Sequence, residues 1–189
     1  MKIRKTLYVV KRSEWRLWLS KHHNKEKEIW LIYYKKSSGK PRISYNDAVD
    51  EALCFGWIDS TVKSIDEEKY AQRFTPRRKG SILSQMNTER VRKLILEKRM
   101  TQYGLNSISH AFDQKTDNPD DFTIVPYVLK AIKKNKEAWI NFQKLPESYK
   151  RIRLAYIGNK TEQDEEEFEK RLNYFIKMTA KNKKFGMVQ

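Results

Sequence analysis

The sequence has a single cysteine, Cys54, among 189 residues. That excludes an internal disulfide framework and any four-cysteine zinc site. Only three histidines are present, and His22, His23 and His110 lack metal-ligand spacing. No metal and no cofactor is expected. Six glycines occur, none with the spacing of a phosphate-cradling loop. No apolar run approaches the roughly 18 residues of a membrane-spanning helix, so no membrane insertion is expected. The basic start, Met1 to Lys5, is followed by an apolar stretch of only Leu7 to Val10, too short for a secretory signal. The expected location is the cytoplasm, where a lone thiol stays reduced.

Positive charge is plentiful. There are 40 Lys and Arg against 24 Asp and Glu, a formal net charge of +16. Residues 1–112 carry 24 basic and 12 acidic side chains, and residues 113–189 carry 16 and 12, so the excess sits in the first part. A surface this basic is expected to attract polyanions, giving weak, non-specific nucleic-acid binding. Apolar residues make up 39% of the chain, enough for a real core, so disorder throughout is excluded.

The chain divides at Asp113 to Asp121, a polar, acidic segment containing Pro119 that reads as a linker. The expected organisation is a mixed α+β domain over 1–112, a linker over 113–126 and a helical C-terminal module over 127–189. In the first part, Ser13 is placed to cap a helix presenting Trp15, Trp18, Leu19 and His22. Ile29 to Tyr34 reads as a strand. Ser44 and Asp47 suggest a helix cap, followed by the stripe Tyr45, Ala48, Val49, Ala52 and Leu53. Phe55 to Val62 reads as a strand with Trp57, Asp59 and Thr61 on one face. Tyr70 to Thr75 reads as its hairpin partner, ended by Pro76. Asn87 is placed to cap a helix carrying Val91, Leu94 and Ile95. The fold class is thus α+β: a small antiparallel sheet of about three strands packed by helices, then a helical module. In that module Pro146 and Gly158 bracket one helix. Thr161 and Asp164 suggest a cap for another, with the inner stripe Phe168, Leu172, Phe175, Ile176 and Thr179.

Candidate chemistry concentrates between Cys54 and Asn87. Arg73, Arg77, Arg78 and Lys79 lie within seven residues, and Ser81, Ser84 and Asn87 follow at spacings of three. Guanidinium forks, hydroxyls and free helix N–H groups are what an oxyanion or phosphate needs. Trp57, Tyr70 and Phe74 offer a stacking surface. The alternative is a polar hairpin loop whose arginines are solvated, or paired with Asp59, Asp66, Glu67 and Glu68. Asp59 is expected to pair with one of the site arginines. Cys54, ending a helix, is expected to be buried and unreactive.

The string Ala52-Leu-Cys-Phe-Gly-Trp-Ile-Asp-Ser60, then Tyr70, Arg73-Phe-Thr-Pro-Arg-Arg78, Ser81, Ser84 and Asn87, resembles the YdeI/OmpD-associated family. These are bacterial proteins also labelled bacteriocin protection. Trp15 and Trp18 upstream fit, as do Met100 and Gly104. In the second part, Val125-Pro126, Leu129, Ala131, Trp139, Phe142, Leu145 and Pro146-Glu-Ser148 through Ile157 resemble the family's helical module. Two departures stand out. Leu83 replaces a Trp often found between the serines, and Gly158 to Asp164 replaces a more basic stretch.

The resemblance supplies no reaction, cofactor or catalytic residue. Its name alone implies an association with an outer-membrane protein. The family's signature positions fall on Cys54, Trp57, Asp59, Arg73, Pro76, Arg77, Ser81, Ser84 and Asn87, which look more like a pocket than a core. Three functions follow as expectations. The first is a non-enzymatic binding protein with an anionic or nucleotide-like ligand at Trp57, Asp59, Tyr70, Arg73, Arg77, Arg78, Ser81, Ser84 and Asn87. The second is a basic nucleic-acid-associated protein. The third is an enzyme of unknown reaction using Asp59, Cys54 and Arg73.

Overall fold

A computed structural model describes residues 2–158 and 164–186. The chain forms two compact units, one of residues 1–83 and 90–113, the other of 84–89 and 114–189. The fold class is α+β. The described elements of the first unit are β1 (Thr6–Leu7), α1 (Arg12–His22), β2 (Ile29–Tyr34), α2 (Tyr45–Cys54), β3 (Trp57–Ser64), β4 (Lys69–Pro76) and α4 (Gln102–Ile108). Helix α3 (Gln85–Leu96) begins among the residues of the second unit and ends among those of the first.

The sheet has four strands in the order β1-β2-β4-β3, not about three. The additional strand is β1, two residues long and parallel to β2. Two residues offer no alternation to read. Strands β2, β3 and β4 are antiparallel, with Tyr33 opposite Tyr70 and Asp59 opposite Phe74. Cross-strand partners share a face, so Ile29, Leu31, Tyr33, Trp57, Asp59, Tyr70, Gln72 and Phe74 lie on one side. Helices α1 and α2 cover that side. Trp15 is fully buried against Phe74, ring centroids 5.5 Å apart, and its indole N–H donates to the Ala48 carbonyl at 3.0 Å.

Strand β3 departs from simple alternation. The register shifts between Asp59 and Val62, placing Val62 opposite Gln72. Val62 therefore shares the Asp59 face rather than the opposite one, because a bulge inserts one unpaired residue. Two caps also differ from expectation. The N-cap of α1 is Lys11, with Glu14 reaching back to the backbone N–H of Lys11, so Ser13 lies inside the first turn. Helix α3 starts before Asn87, whose backbone N–H donates to the Ser84 hydroxyl at 3.3 Å. Ser84 supplies the capping oxygen there. The cap of α2 is as expected: the Ser44 hydroxyl accepts from the Asp47 N–H.

Cys54, the last residue of α2, is fully buried. Burial, then the nearby Glu51 charge, pushes its thiol up to about 11. A nucleophilic cysteine needs the opposite shift. Native protein is expected to resist N-ethylmaleimide over times that label the unfolded chain completely. Cys54→Ser is expected to cost about 1–3 kcal/mol, the penalty of a poorly bonded hydroxyl in a core. Fast native labelling would contradict this.

The second unit contains α5 (Pro126–Lys134), α6 (Lys136–Gln143), α7 (Glu147–Ile157) and α8 (Glu165–Ala180). Pro126 sits in the first turn of α5, where its missing N–H costs nothing. Pro146 and Gly158 flank α7, as the sequence suggests. The Asp164 carboxylate caps α8, and Thr161 lies outside the described residues. The inner stripe of α8, Phe168, Leu172, Phe175 and Thr179, is buried. Its aromatic members pack with Val128, Ile132, Phe142 and Leu154.

Candidate functional site

Where α2 ends, Gly56 turns the chain into β3 at φ +71°, a conformation side chains resist. A Cβ there would also come within 2.7 Å of the Ser107 hydroxyl. The Gly56 carbonyl accepts the Arg77 backbone N–H at 2.9 Å. Sheet-like pairing thus runs one residue beyond Pro76, the last residue of β4, and fixes where the Arg77 side chain leaves the backbone.

That side chain is buried, with only 8% of its surface exposed. Its Nη2 donates to the Ile82 carbonyl at 2.9 Å, whereas Nε and Nη1 have no hydrogen-bond partner among the described residues. Burial lowers its pKa, and among the described residues no carboxylate offsets this. An unpaired buried guanidinium is costly unless a counter-ion completes it. The following loop turns back through the Ser81 N–H, which bonds the Arg78 carbonyl at 3.1 Å. The Ser81 hydroxyl is likewise buried without a partner among the described residues. The Ser81 carbonyl lies 2.9 Å from His110 Nε2. One short loop therefore holds two unsatisfied groups able to donate to an oxyanion, a guanidinium edge and a hydroxyl.

The other expected site residues are arranged differently. Asp59 pairs with no arginine; it accepts from the Tyr45 hydroxyl at 2.8 Å and the Gln72 amide at 3.5 Å. Arg73 lies on the opposite sheet face, opposite Trp30, and its Nε bonds Glu28 at 2.8 Å. Sequence alone does not show this pairing, because Glu28 is 45 positions away and strand register brings it near. Trp57 is fully buried, its indole N–H bonding the His23 carbonyl at 3.0 Å, and Phe74 is fully buried too. Neither offers a stacking surface. Tyr70 is half-buried but already stacked on Tyr33. Arg78 is exposed. Ser84 and Asn87 belong to the second unit, where Ser84 caps α3 and Asn87 lies within that helix.

Two polar groupings were not read from the sequence. Glu51 is fully buried and bonded by Arg12, Arg16 and Arg99. Tyr45 bonds Asp59, and Arg42 bonds the hydroxyl of Tyr70, whose ring stacks on Tyr33. The first grouping spans 87 positions of sequence; in the second, Tyr33 looks from its alternation like an ordinary core residue. Among the described residues, no group of three or more His, Cys, Asp or Glu is placed to hold a metal, and no helix is long and apolar enough to cross a membrane. The second unit has a cleft of about 200 Å³, lined by Phe122, Ile124, Val125, Val128 and Leu154 among others. It brings no charged side chain.

The family described as "Domain of unknown function (DUF8412)" matches residues 7–107. The family described as "Bacteriocin-protection, YdeI or OmpD-Associated" matches residues 121–182. No curated protein and no solved structure matches the chain. The YdeI/OmpD-associated resemblance is thus matched in the C-terminal region, while the Cys54–Asn87 constellation falls within the other match.

Proposed function

This chain belongs to the DUF8412 family through residues 7–107 and carries a YdeI/OmpD-associated domain over 121–182, and on that premise we propose that it is a binding protein for a small oxyanion or the anionic end of a larger ligand. The anion sits at Arg77 and Ser81. One observation carries the reading: a guanidinium that is 8% exposed and, among the described residues, has no carboxylate beside it and keeps two nitrogens unpaired. A phosphate, sulfate or carboxylate supplies the missing charge and accepts both N–H groups, and charge-assisted bonds of this kind are the strong ones. Exposed Arg78 and Lys79 beside the loop raise the local anion concentration without being needed for the bond. Arg73 and Asp59 have other partners and are not part of this anion site.

The test is a thermal-shift titration with inorganic phosphate, sulfate and AMP on the wild type and Arg77→Met. Ligand binding to the native state raises stability by RT ln(1 + [L]/Kd), about 2.7 kcal/mol at a hundredfold excess over Kd. The wild type is expected to respond to at least one of these anions. The methionine variant is expected to melt no lower than the wild type without anion, because it removes an uncompensated buried charge, and to lose the response. Equal responses in both proteins would overturn the site. DNA retention that is the same in both proteins and fades with added salt would belong to the general positive surface instead.

A further inference from the structure

On the helix-covered face of the sheet, Tyr33 is 1% exposed and its hydroxyl has no hydrogen-bond partner among the described residues. Its ring stacks on Tyr70, centroids 5.3 Å apart and planes 6° from parallel, so the hydroxyl position is fixed by packing. The titratable groups acting on it are Tyr70, Tyr45, Asp59 and Arg42. Arg42 stands on the loop that enters α2. That loop is tied down by the Ile43 N–H bonding the Val9 carbonyl at 3.3 Å and by the Tyr8 hydroxyl on the Pro41 carbonyl at 2.5 Å.

Arg42 and Asp59 do not neutralise each other. The guanidinium Nη1 donates to the Tyr70 hydroxyl at 3.1 Å. Asp59 Oδ2 accepts from Tyr45 and Gln72, and the Gln72 amide is itself anchored on the Ser60 carbonyl at 3.0 Å. Among the described residues, Arg42 has no carboxylate partner and Asp59 no cationic one. Each charge is hydrogen-bonded by neutral groups. A plain anion would meet the Asp59 carboxylate, and a plain cation would meet the Arg42 guanidinium. A ligand carrying both charges satisfies both.

We infer that Arg42, Asp59 and Tyr33 form a second recognition site, distinct from Arg77, for a small zwitterion of the α-amino acid class. The ligand carboxylate lies on the free edge of the Arg42 guanidinium and also accepts the Tyr33 hydroxyl. The ligand ammonium lies on Asp59 Oδ1, which no protein group occupies among the described contacts. Tyr45 and Gln72 act as positioning residues: they fix the carboxylate plane without touching the ligand.

Calorimetric titration of the full chain with glycine, L-alanine, L-glutamate, L-lysine and L-phenylalanine tests this, with the N-acetyl and methyl ester derivatives of any binder. At least one amino acid is expected to bind, and blocking either of its charges to weaken binding tenfold or more. Arg42→Gln and Asp59→Asn are each expected to weaken it at least tenfold, and Arg77→Met to leave it unchanged. The last result separates this site from the anion site, whose failure would not touch it. Should a charge variant fail to fold, Tyr33→Phe removes only an unpaired hydroxyl and is expected to weaken binding several-fold with no loss in melting temperature. No binding by any of the five amino acids would overturn the proposal. So would binding that survives the charge variants. A Tyr33→Phe protein that binds as tightly as the wild type would also overturn it, leaving the hydroxyl as a seat for a trapped water.

Discussion

Glu51→Ala is expected to be the most damaging single substitution at a charged residue, costing about 3–5 kcal/mol, the usual penalty for removing one partner of a buried ion pair. Whole domains are stable by only about 5–15 kcal/mol, so much of the protein would be unfolded at moderate temperature. Glu51 is fully buried in α2. Its carboxylate accepts from Arg12 Nε at 2.5 Å, from Arg16 Nη1 at 2.7 Å and from Arg99. Truncation leaves three guanidinium groups facing one another around a cavity. Burial raises the Glu51 pKa, but the hydrogen bonds from Arg12, Arg16 and Arg99 outweigh it, and the net shift is downward from 4.5. A depressed carboxylate stabilises the fold above its unfolded value and loses that contribution as pH falls through its lower folded value. Urea denaturation of the wild type is therefore expected to show falling stability below about pH 4.5. The Glu51→Gln protein, if it folds, is expected to show a shallower fall. A Glu51→Ala midpoint close to the wild type would contradict the account.

The second large effect is steric. Gly104→Ala is expected to lose about 3 kcal/mol or more, at or beyond the upper end for overpacking a close-packed site. Gly104 lies in α4, and a Cβ there would stand 2.2 Å from the Cys54 carbonyl oxygen and 2.9 Å from that of Leu53. Both are backbone atoms that cannot swing aside. The same Cys54 carbonyl accepts the Thr101 hydroxyl at 2.6 Å and the Thr101 N–H at 3.2 Å. Thr101 in turn caps α4 through the Gly104 N–H at 3.1 Å. The start of α4 is thus docked on the end of α2. In an open helix this exchange would add about 1 kcal/mol of stability. Here the sign reverses. A denaturation midpoint at or above that of the wild type would mean the two helix ends separate more easily than the geometry implies.

The sequence is informative where local rules act alone. The stripe of α2, its Ser44 cap and the Pro146–Gly158 bracket of α7 follow from helix periodicity and end chemistry, and all are found. Two of the expected site residues, Arg77 and Ser81, are also the two in that loop with buried unpaired atoms. The rest depends on distance in sequence. Arg73 takes Glu28 because β2 and β4 are in register, and no spacing rule links the two. Asp59 takes Tyr45 rather than an arginine because α2 covers its face. Trp57 looks like a binding aromatic beside polar neighbours, yet the Trp18 ring, 5.8 Å away, encloses it. Val62 sits on the side opposite to its alternation because of the bulge.

That bulge lies on β3, the outermost strand next to β4. Its segment from Ser60 to Ser64 is exposed. An exposed strand margin is a template on which another polypeptide can add itself, and repeated addition builds aggregates. The break between Asp59 and Val62 interrupts the even spacing of outward N–H and C=O groups that such growth requires, and Lys63 adds charge along it. The bulge thereby makes this sheet margin a poor template for the addition of a further strand.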